Sequence, residues 1–342
     1  MRKSSSGAGK TRIWTKLLII IIIIVAALMA LLFLLMHQKR MQMDTSFSFG
    51  DYRSGTVMDT HSTTVNRAPA FADDLTVSNA AVVLDDLRLN ATTEKALLFD
   101  LENRTPLFAQ GIYDRAFPAS LTKIMTAVII LEYGNPDEEV TMEAADFDLE
   151  EGAQLSGLRE GDVLTLDQLY CGLLVYSGND CAMAVARTVG GTVDRFVEMM
   201  NDKAKELGMT GTHFTYPHGL HDPDHYTTAY DVYIMLQYIS QYPHFLDTAK
   251  KNVYTLNFRH ADGTDGSLRL DSTDKYLTGE KDTPAGVHII GGKTGTTDEA
   301  GACLALIAQN DFGVPYAAVV MNAFNSTALY ADMSALLNYI NK

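Results

Sequence analysis

The chain has 342 residues, 47% of them hydrophobic and 20% charged, with 25 Gly and 9 Pro, which excludes disorder, collagen-like repeats and low complexity as descriptions of the whole. At about 100–200 residues per domain, that length admits one large domain or two modest ones, each with a core of its own. The net charge of −15 is unevenly placed: residues 1–40 hold seven Lys or Arg and no acid, leaving 20 basic against 42 acidic side chains, net −22, in residues 41–342, a surface that repels phosphate backbones and excludes nucleic acid as an expected partner.

Residues 17–36 read LLIIIIIIVAALMALLFLLM, with no charged group. As a helix they span about 30 Å, the thickness of a hydrocarbon core. A cleaved signal peptide has a shorter apolar run, about 7–15 residues, and a small-x-small cleavage site. Here the run passes directly into His37, Gln38, Lys39 and Arg40, which predicts an uncleaved anchor. Five basic residues precede it (Arg2, Lys3, Lys10, Arg12 and Lys16), so the positive-inside bias puts the N-terminus in the cytoplasm and the remainder outside a bacterial plasma membrane. The expected layout is a cytoplasmic tail over 1–16, a transmembrane helix over 17–36, an extracellular stalk over 37–75 that is polar and lacks apolar periodicity, and a folded domain over 76–342.

Within that domain, AAVVLDD (80–86) reads as a strand, and KALLFDLENRTPLFAQ (95–110) as two strands joined around residues 102–105. SLTKIMTAVIILEYG carries apolar residues at helical spacing and stops at Gly134. LTLDQLYCGLLVYS, DCAMAVARTVGG, DRFVEMMNDKAKELG and TTAYDVYIMLQYISQY read as further helices. GVHIIGGKTGTT, ACLALIAQ and PYAAVVMNA return to strands, and STALYADMSALLNYI closes as a helix. The fold class predicted is α/β of the α+β kind: one antiparallel sheet built from both ends of the domain, flanked by helices, with an all-helical lobe inserted and a site in the cleft between them. Cys171 and Cys303 sit in apolar stretches and read, with Cys181, as residues without assigned chemistry.

Three short motifs carry the chemistry. Ser120 stands just inside a helix start with Lys123 three residues later on the same face; a serine hydroxyl needs a base, and a lysine serves when burial and nearby positive charge keep it neutral. Taken alone this spacing is commonplace. Ser177-Gly178-Asn179 makes a polar break between two apolar helices, where the hydroxyl can relay a proton and the Asn amide can meet a substrate carbonyl or the lysine. Lys293-Thr294-Gly295 follows an apolar strand: Lys293 supplies positive charge, Thr294 a hydroxyl suited to a carboxylate, Gly295 room for a substrate backbone, and the amide of Thr296 an oxyanion donor.

SxxK, SxN and KTG in that order are the signature of penicillin-recognising serine enzymes. The chain resembles the low-molecular-mass penicillin-binding proteins, the serine D-alanyl-D-alanine carboxypeptidases of peptidase family S11, over roughly residues 76–325. The blocks PASLTKIMTA, LREGDVLTLDQLYCGLLVYSGNDCAMAVA, HFTYPHGLHDPDHYTTAYD and GGKTGTTDEAG carry the resemblance beyond the motifs. It implies a β-lactamase/transpeptidase-like fold, with Ser120 acylated and Lys123 as its base. It further implies Ser177 and Asn179 in proton relay and substrate contact, Lys293 and Thr294 on the substrate carboxylate, and the amides of Ser120 and Thr296 as the oxyanion hole. The implied substrate is a peptidoglycan stem peptide ending in D-Ala-D-Ala, with β-lactams as covalent inhibitors and no metal or cofactor.

Departures and rivals are legible too. Many relatives carry a β-rich domain and a C-terminal anchor helix after the catalytic domain; the sequence ends about 46 residues past KTG, and the N-terminal helix is expected to stand in for that anchor. No Arg follows Arg269, so carboxylate recognition is expected to rest on Lys293, Thr294 and Thr296 or on an earlier arginine, with weaker discrimination than a bidentate Arg gives. The E-x-x-x-N arrangement of class A β-lactamases is missing between Ser177 and Lys293, where Glu198 and Asn201 stand three apart. A sensor would need a larger cytoplasmic part, and a silent binding module would be expected to lack part of the constellation. His213, His218, His221 and His225 raise a zinc alternative, but without HExxH.

Overall fold

The structure, a computed structural model, describes Leu87, Leu89 and residues 94–341. The tail, the transmembrane helix, the stalk and the strand expected over 80–86 lie outside these residues. Among the described residues no helix is long and apolar enough to cross a membrane.

Strands β1 (Lys95–Asp100) and β2 (Thr105–Gln110) form the expected hairpin. Its turn is closed by the Asp100 carboxylate, which accepts from the Asn103 backbone N–H at 2.8 Å and from its amide at 2.9 Å. A 3₁₀ turn, Ala119–Leu121, leads into α1 (Thr122–Tyr133). Residues 122–130 of α1 are buried without exception, so this is a core helix rather than a surface amphipath. It ends where Gly134 turns extended and donates its N–H to the Ile130 carbonyl at 2.8 Å.

The inserted segment begins with two short strands, β3 (Glu139–Thr141) and β4 (Val163–Thr165). Helix α2 (Leu166–Cys171) starts at a capping box in which the Thr165 hydroxyl accepts from Gln168 N and the Gln168 side chain accepts from Thr165 N. A π-helical turn over Gly172–Tyr176 follows, then α3 (Asn179–Gly190), α4 (Val193–Glu206), α5 (Ala229–Ser240) and α6 (Pro243–Ala249). Strands β5 (Val253–Arg259) and β6 (Asp265–Asp271) form a regular hairpin, and with β3 and β4 they complete a four-stranded antiparallel sheet, order β3-β4-β5-β6. The expectation of an all-helical lobe therefore needs this addition. The hairpin hides in a polar stretch because only Leu256, Phe258 and Leu270 of its 14 strand residues are buried.

Strands β7 (Val287–Thr297), β8 (Gly301–Asn310) and β9 (Pro315–Ala323) join β1 and β2 in a five-stranded antiparallel sheet, order β2-β1-β9-β8-β7. The two ends of the domain thus build one sheet, as expected. Nearly every residue of the inner strands β8 and β9 is buried, which requires cover on both faces. On one face α7 (Ser326–Leu337) lays Leu329, Tyr330, Met333, Leu336 and Leu337 over Leu98, Leu304, Leu306, Ala318 and Val320. On the other lies α5, whose Tyr233 ring stands 4.6 Å from that of Phe99 on β1. Strand β7 is left at the sheet's edge, beside the 3₁₀ turn that carries Ser120.

Candidate active site

Ser120 is partly exposed at the start of the core helix, and one turn on, Lys123 is fully buried. The Lys123 Nζ lies 2.9 Å from Ser120 Oγ, 2.6 Å from Asn179 Oδ1 and 2.8 Å from the His218 carbonyl oxygen. Three separate elements therefore converge on one nitrogen: the α1 entry, the start of α3 and the loop after α4. Of the two partners left open for the Asn179 amide, the structure has it on the lysine.

Burial is the main cause that holds the Lys123 amine well below the ordinary lysine range; the charge of Lys293 acts in the same direction, and Cys181 and Asp180 oppose it. Lys293, also fully buried, is pushed down to about 7 by burial against the opposing pull of Asp274. Its ammonium donates to the Thr294 carbonyl at 2.9 Å. The two lysines of SxxK and KTG thus share one poorly solvated region, and charging both there is costly.

The SxN turn is held by its surroundings. Ser177 is buried in the left-handed region, φ +70°, at the end of the π-helical turn. The Asn179 backbone N–H donates to the Gln154 carbonyl at 2.8 Å, and the Gln154 amide returns a bond to the Tyr176 carbonyl. Next to it the buried Asp180 carboxylate accepts from the Ser156 N–H at 3.0 Å and from its hydroxyl at 2.5 Å. The 150–158 loop is thereby pinned onto the turn.

Gly295 explains the approach of β7 to Ser120. A Cβ at this position would lie 2.8 Å from Ser120 N, closer than real Cβ atoms come, and a tight 3.1 Å from Ala119 Cβ. The neighbouring Thr294 hydroxyl lies 2.5 Å from that of Thr273, and Thr296 is exposed along the free strand edge. Thr273 and the buried Asp274 beside it escape the sequence reading because they precede a single helical turn, Lys275–Thr278, with no motif of their own.

Of the eight residues expected from the sequence, Ser120, Lys123 and Asn179 are joined by direct hydrogen bonds and Gly295 abuts Ser120, while Ser177, Lys293, Thr294 and Thr296 flank these in the sequence. The loop 213–225 contributes what the motifs do not show. His218 provides a backbone oxygen to Lys123, while its ring, stacked on Tyr216, accepts from the Leu220 N–H at 3.0 Å. His225 bonds to Thr122, and His213 Nδ1 donates to the Asp224 carbonyl at 2.6 Å. Burial pushes His218 down to about 3 and His225 down to about 4, so both are neutral rings. All three cysteines are free and buried.

Comparison with known proteins gives the family. The family model for D-alanyl-D-alanine carboxypeptidases, peptidase family S11, matches residues 80–325. The carboxypeptidase DacF of Bacillus subtilis is 30% identical over 250 residues, covering 72% of this chain and 61% of the relative. The carboxypeptidase DacD of Salmonella typhimurium is 32% identical over 253 residues, covering 71% and 61%. The chain therefore spans about three fifths of the length of these curated relatives. Among solved structures, the Streptomyces K15 DD-transpeptidase superposes with a TM-score of 0.69 at 27% identity, covering 75% of this chain and 99% of that one. The fold is the β-lactamase/transpeptidase one that the resemblance implies, and the chain belongs to the D-alanyl-D-alanine carboxypeptidase family S11.

Proposed function

We propose that this protein is a membrane-anchored serine D-alanyl-D-alanine carboxypeptidase that removes the terminal D-alanine of peptidoglycan stem peptides through an acyl-enzyme on Ser120. The observation that carries the reading is the set of three partners around Lys123 Nζ. Two of them, Asn179 Oδ1 and the His218 carbonyl, can only accept. When the amine is neutral, its two N–H bonds serve those oxygens and its lone pair is left for the third partner, the Ser120 hydroxyl at 2.9 Å.

Lys123 then takes the Ser120 proton as Oγ attacks the carbonyl between the two D-alanines. The oxyanion that forms is received by the backbone N–H groups of Ser120 and Thr296. The substrate lies as an added strand along the edge of β7, its carboxylate on Lys293 and Thr294, with Gly295 leaving room for it. Ser177 passes the proton to the leaving D-alanine nitrogen, and water hydrolyses the ester in a second round of the same chemistry. A β-lactam enters the same path and stays as a stable ester. Residues 17–36 hold the domain to the outer face of the plasma membrane, with the N-terminus in the cytoplasm and residues 37–75 as the spacer.

A second reading is supported by two of the similar proteins: a Pseudomonas aeruginosa D-alanyl-D-alanine endopeptidase, 31% identical over 222 residues, and the K15 DD-transpeptidase. In both alternatives the acyl-enzyme is the same and the other participant differs. The test is D-alanine release from a stem pentapeptide by the detergent-solubilised full chain, beside Ser120→Ala and Lys123→Ala. Release by the parent and by neither variant is expected. A penicillin-labelled but non-releasing parent favours the endopeptidase or transpeptidase reading, and absence of both label and release overturns the acyl-enzyme.

A further inference from the structure

The residue before the nucleophile is in an unfavourable conformation. Ala119 has φ +46°, a left-handed value that a residue with a Cβ avoids, immediately before Ser120. Something must hold it there. The Ala119 carbonyl accepts twice from Thr122, from its backbone N–H and from its hydroxyl at 2.8 Å. Thr122 Oγ1 in turn lies 2.7 Å from His225 Nε2, 103 residues away in sequence. At the far side of the imidazole, Nδ1 lies 3.0 Å from the Thr215 backbone nitrogen. Thr122 and His225 are both buried.

The direction of every bond in this chain is fixed by its ends. A carbonyl oxygen can only accept, so the Thr122 O–H donates to Ala119. A backbone N–H can only donate, so Nδ1 of His225 is an acceptor and its proton sits on Nε2. Nε2–H then donates to Thr122 Oγ1, whose own proton is already committed to Ala119. The ring is neutral at physiological pH because burial disfavours its charge.

The consequence follows from peptide geometry. The Ala119 C=O and the Ser120 N–H belong to the same planar trans unit and point in opposite directions. Whatever fixes the oxygen aims the N–H. Two glycines hem in the same unit: a Cβ on Gly219 would fall 2.0 Å from Ala119 O, and one on Gly295 2.8 Å from Ser120 N.

We propose that His225 is a positioning residue for the oxyanion site, acting through Thr122 to fix the Ala119–Ser120 peptide so that the Ser120 N–H faces the developing charge. This rests on the acyl-transfer reading given above. It gives the HFTYPHGLHDPDH loop a second role beside that of the His218 carbonyl, and it assigns a function to the hydroxyl inside Ser-Leu-Thr-Lys that neither the nucleophile nor the base supplies.

The test uses the detergent-solubilised full chain and pairs each disruptive substitution with a conservative one. Thr122→Val keeps size but breaks the chain of bonds; Thr122→Ser keeps the hydroxyl. His225→Phe removes the ring's hydrogen bonds to Thr122 and Thr215; His225→Gln offers an acceptor and a donor again. Because a misdirected donor costs less than a deleted one, acylation by a penicillin and kcat for the pentapeptide should fall about 10- to 100-fold in Thr122→Val and His225→Phe, with KM within about twofold. Thr122→Ser should recover most of the rate and His225→Gln part of it. A peptidyl boronic acid, whose tetrahedral adduct occupies the oxyanion site, should lose affinity by the same factor as acylation, a parallel that simple loosening of the loop does not produce. Parent-like acylation in Thr122→Val, or a lowered melting temperature with unchanged boronate affinity, overturns the proposal. Ser120→Ala separates the two levels: if it is still labelled by penicillin, the acyl-enzyme reading fails, whereas an inert Ser120→Ala beside a full-rate Thr122→Val overturns this inference alone.

Discussion

At the scale of single residues, the two buried lysines set opposite pH requirements on the proposed reaction. Lys123 must be neutral to accept the Ser120 proton, so acylation rises with pH through its lowered pKa and is complete well below the usual lysine range. Lys293 must be charged to meet a carboxylate, and at about 7 it loses its proton in the free enzyme as pH rises. A substrate carboxylate returns that charge once bound. The expected profile is therefore a fall in kcat/KM above about pH 7 that kcat does not share, measured on the pentapeptide over pH 5–10. Lys293→Met removes the positive charge that helps to lower Lys123, so the ascending limb of penicillin acylation should move to higher pH, and kcat/KM should fall about 10- to 100-fold. An unmoved limb would mean that burial alone sets the Lys123 amine. The identities of Ser120, Lys123, Asn179 and Lys293 were legible because the chemistry needs those side chains at those spacings. The His218 contribution was not, since it is a backbone oxygen, and the Thr122–His225 pair was not, since its members are 103 residues apart.

At the scale of elements, what the sequence discloses depends on burial. Core helix α1 and strands β8 and β9 are apolar runs with clear ends, and their bounds match the sequence reading within a few residues. The β5–β6 hairpin is mostly exposed, with three buried side chains, and its alternation is too weak to stand out from a loop. The polar SGN break was readable as a turn, but the π-helical turn before it was not, because GLLVY carries the same apolar pattern as an ordinary helix; Gly172 lies close to Cys181 there, and an added Cβ would come 2.9 Å from the sulfur. A close element contact at the site is the edge of β7 against the 3₁₀ turn of Ser120. Gly295→Ala places a methyl 2.8 Å from Ser120 N, in a strand that β8 holds in register on its other side. The strand and the nucleophile must separate, so labelling by penicillin should fall at least about 100-fold while the melting temperature drops only a few degrees. A fully labelled Gly295→Ala would show that β7 can retreat without disturbing the oxyanion site.

At the scale of the whole molecule, charge and hydropathy divide the work. A net charge of −22 over residues 41–342 opposes adhesion of this part to anionic lipid, so the proposed attachment rests on the 20 apolar residues at 17–36. Leu, Ile, Val and Phe each favour insertion by about 0.3–0.6 kcal/mol at a helix centre, and a run of this composition has a driving force of about 5–10 kcal/mol that salt does not screen. The proposed anchor therefore predicts that the full chain sediments with membranes, resists 1 M salt and is released only by detergent. A chain lacking residues 1–40 should instead appear in the soluble fraction. The proposed orientation adds a second readout, because a penicillin conjugate unable to cross the plasma membrane should still label Ser120 in intact spheroplasts. Release by salt would replace the anchor with a peripheral contact, and labelling only after lysis would reverse the topology. Either result would leave the Lys123 geometry untouched, but only reversed topology would move the proposed chemistry away from the wall that holds its proposed substrate.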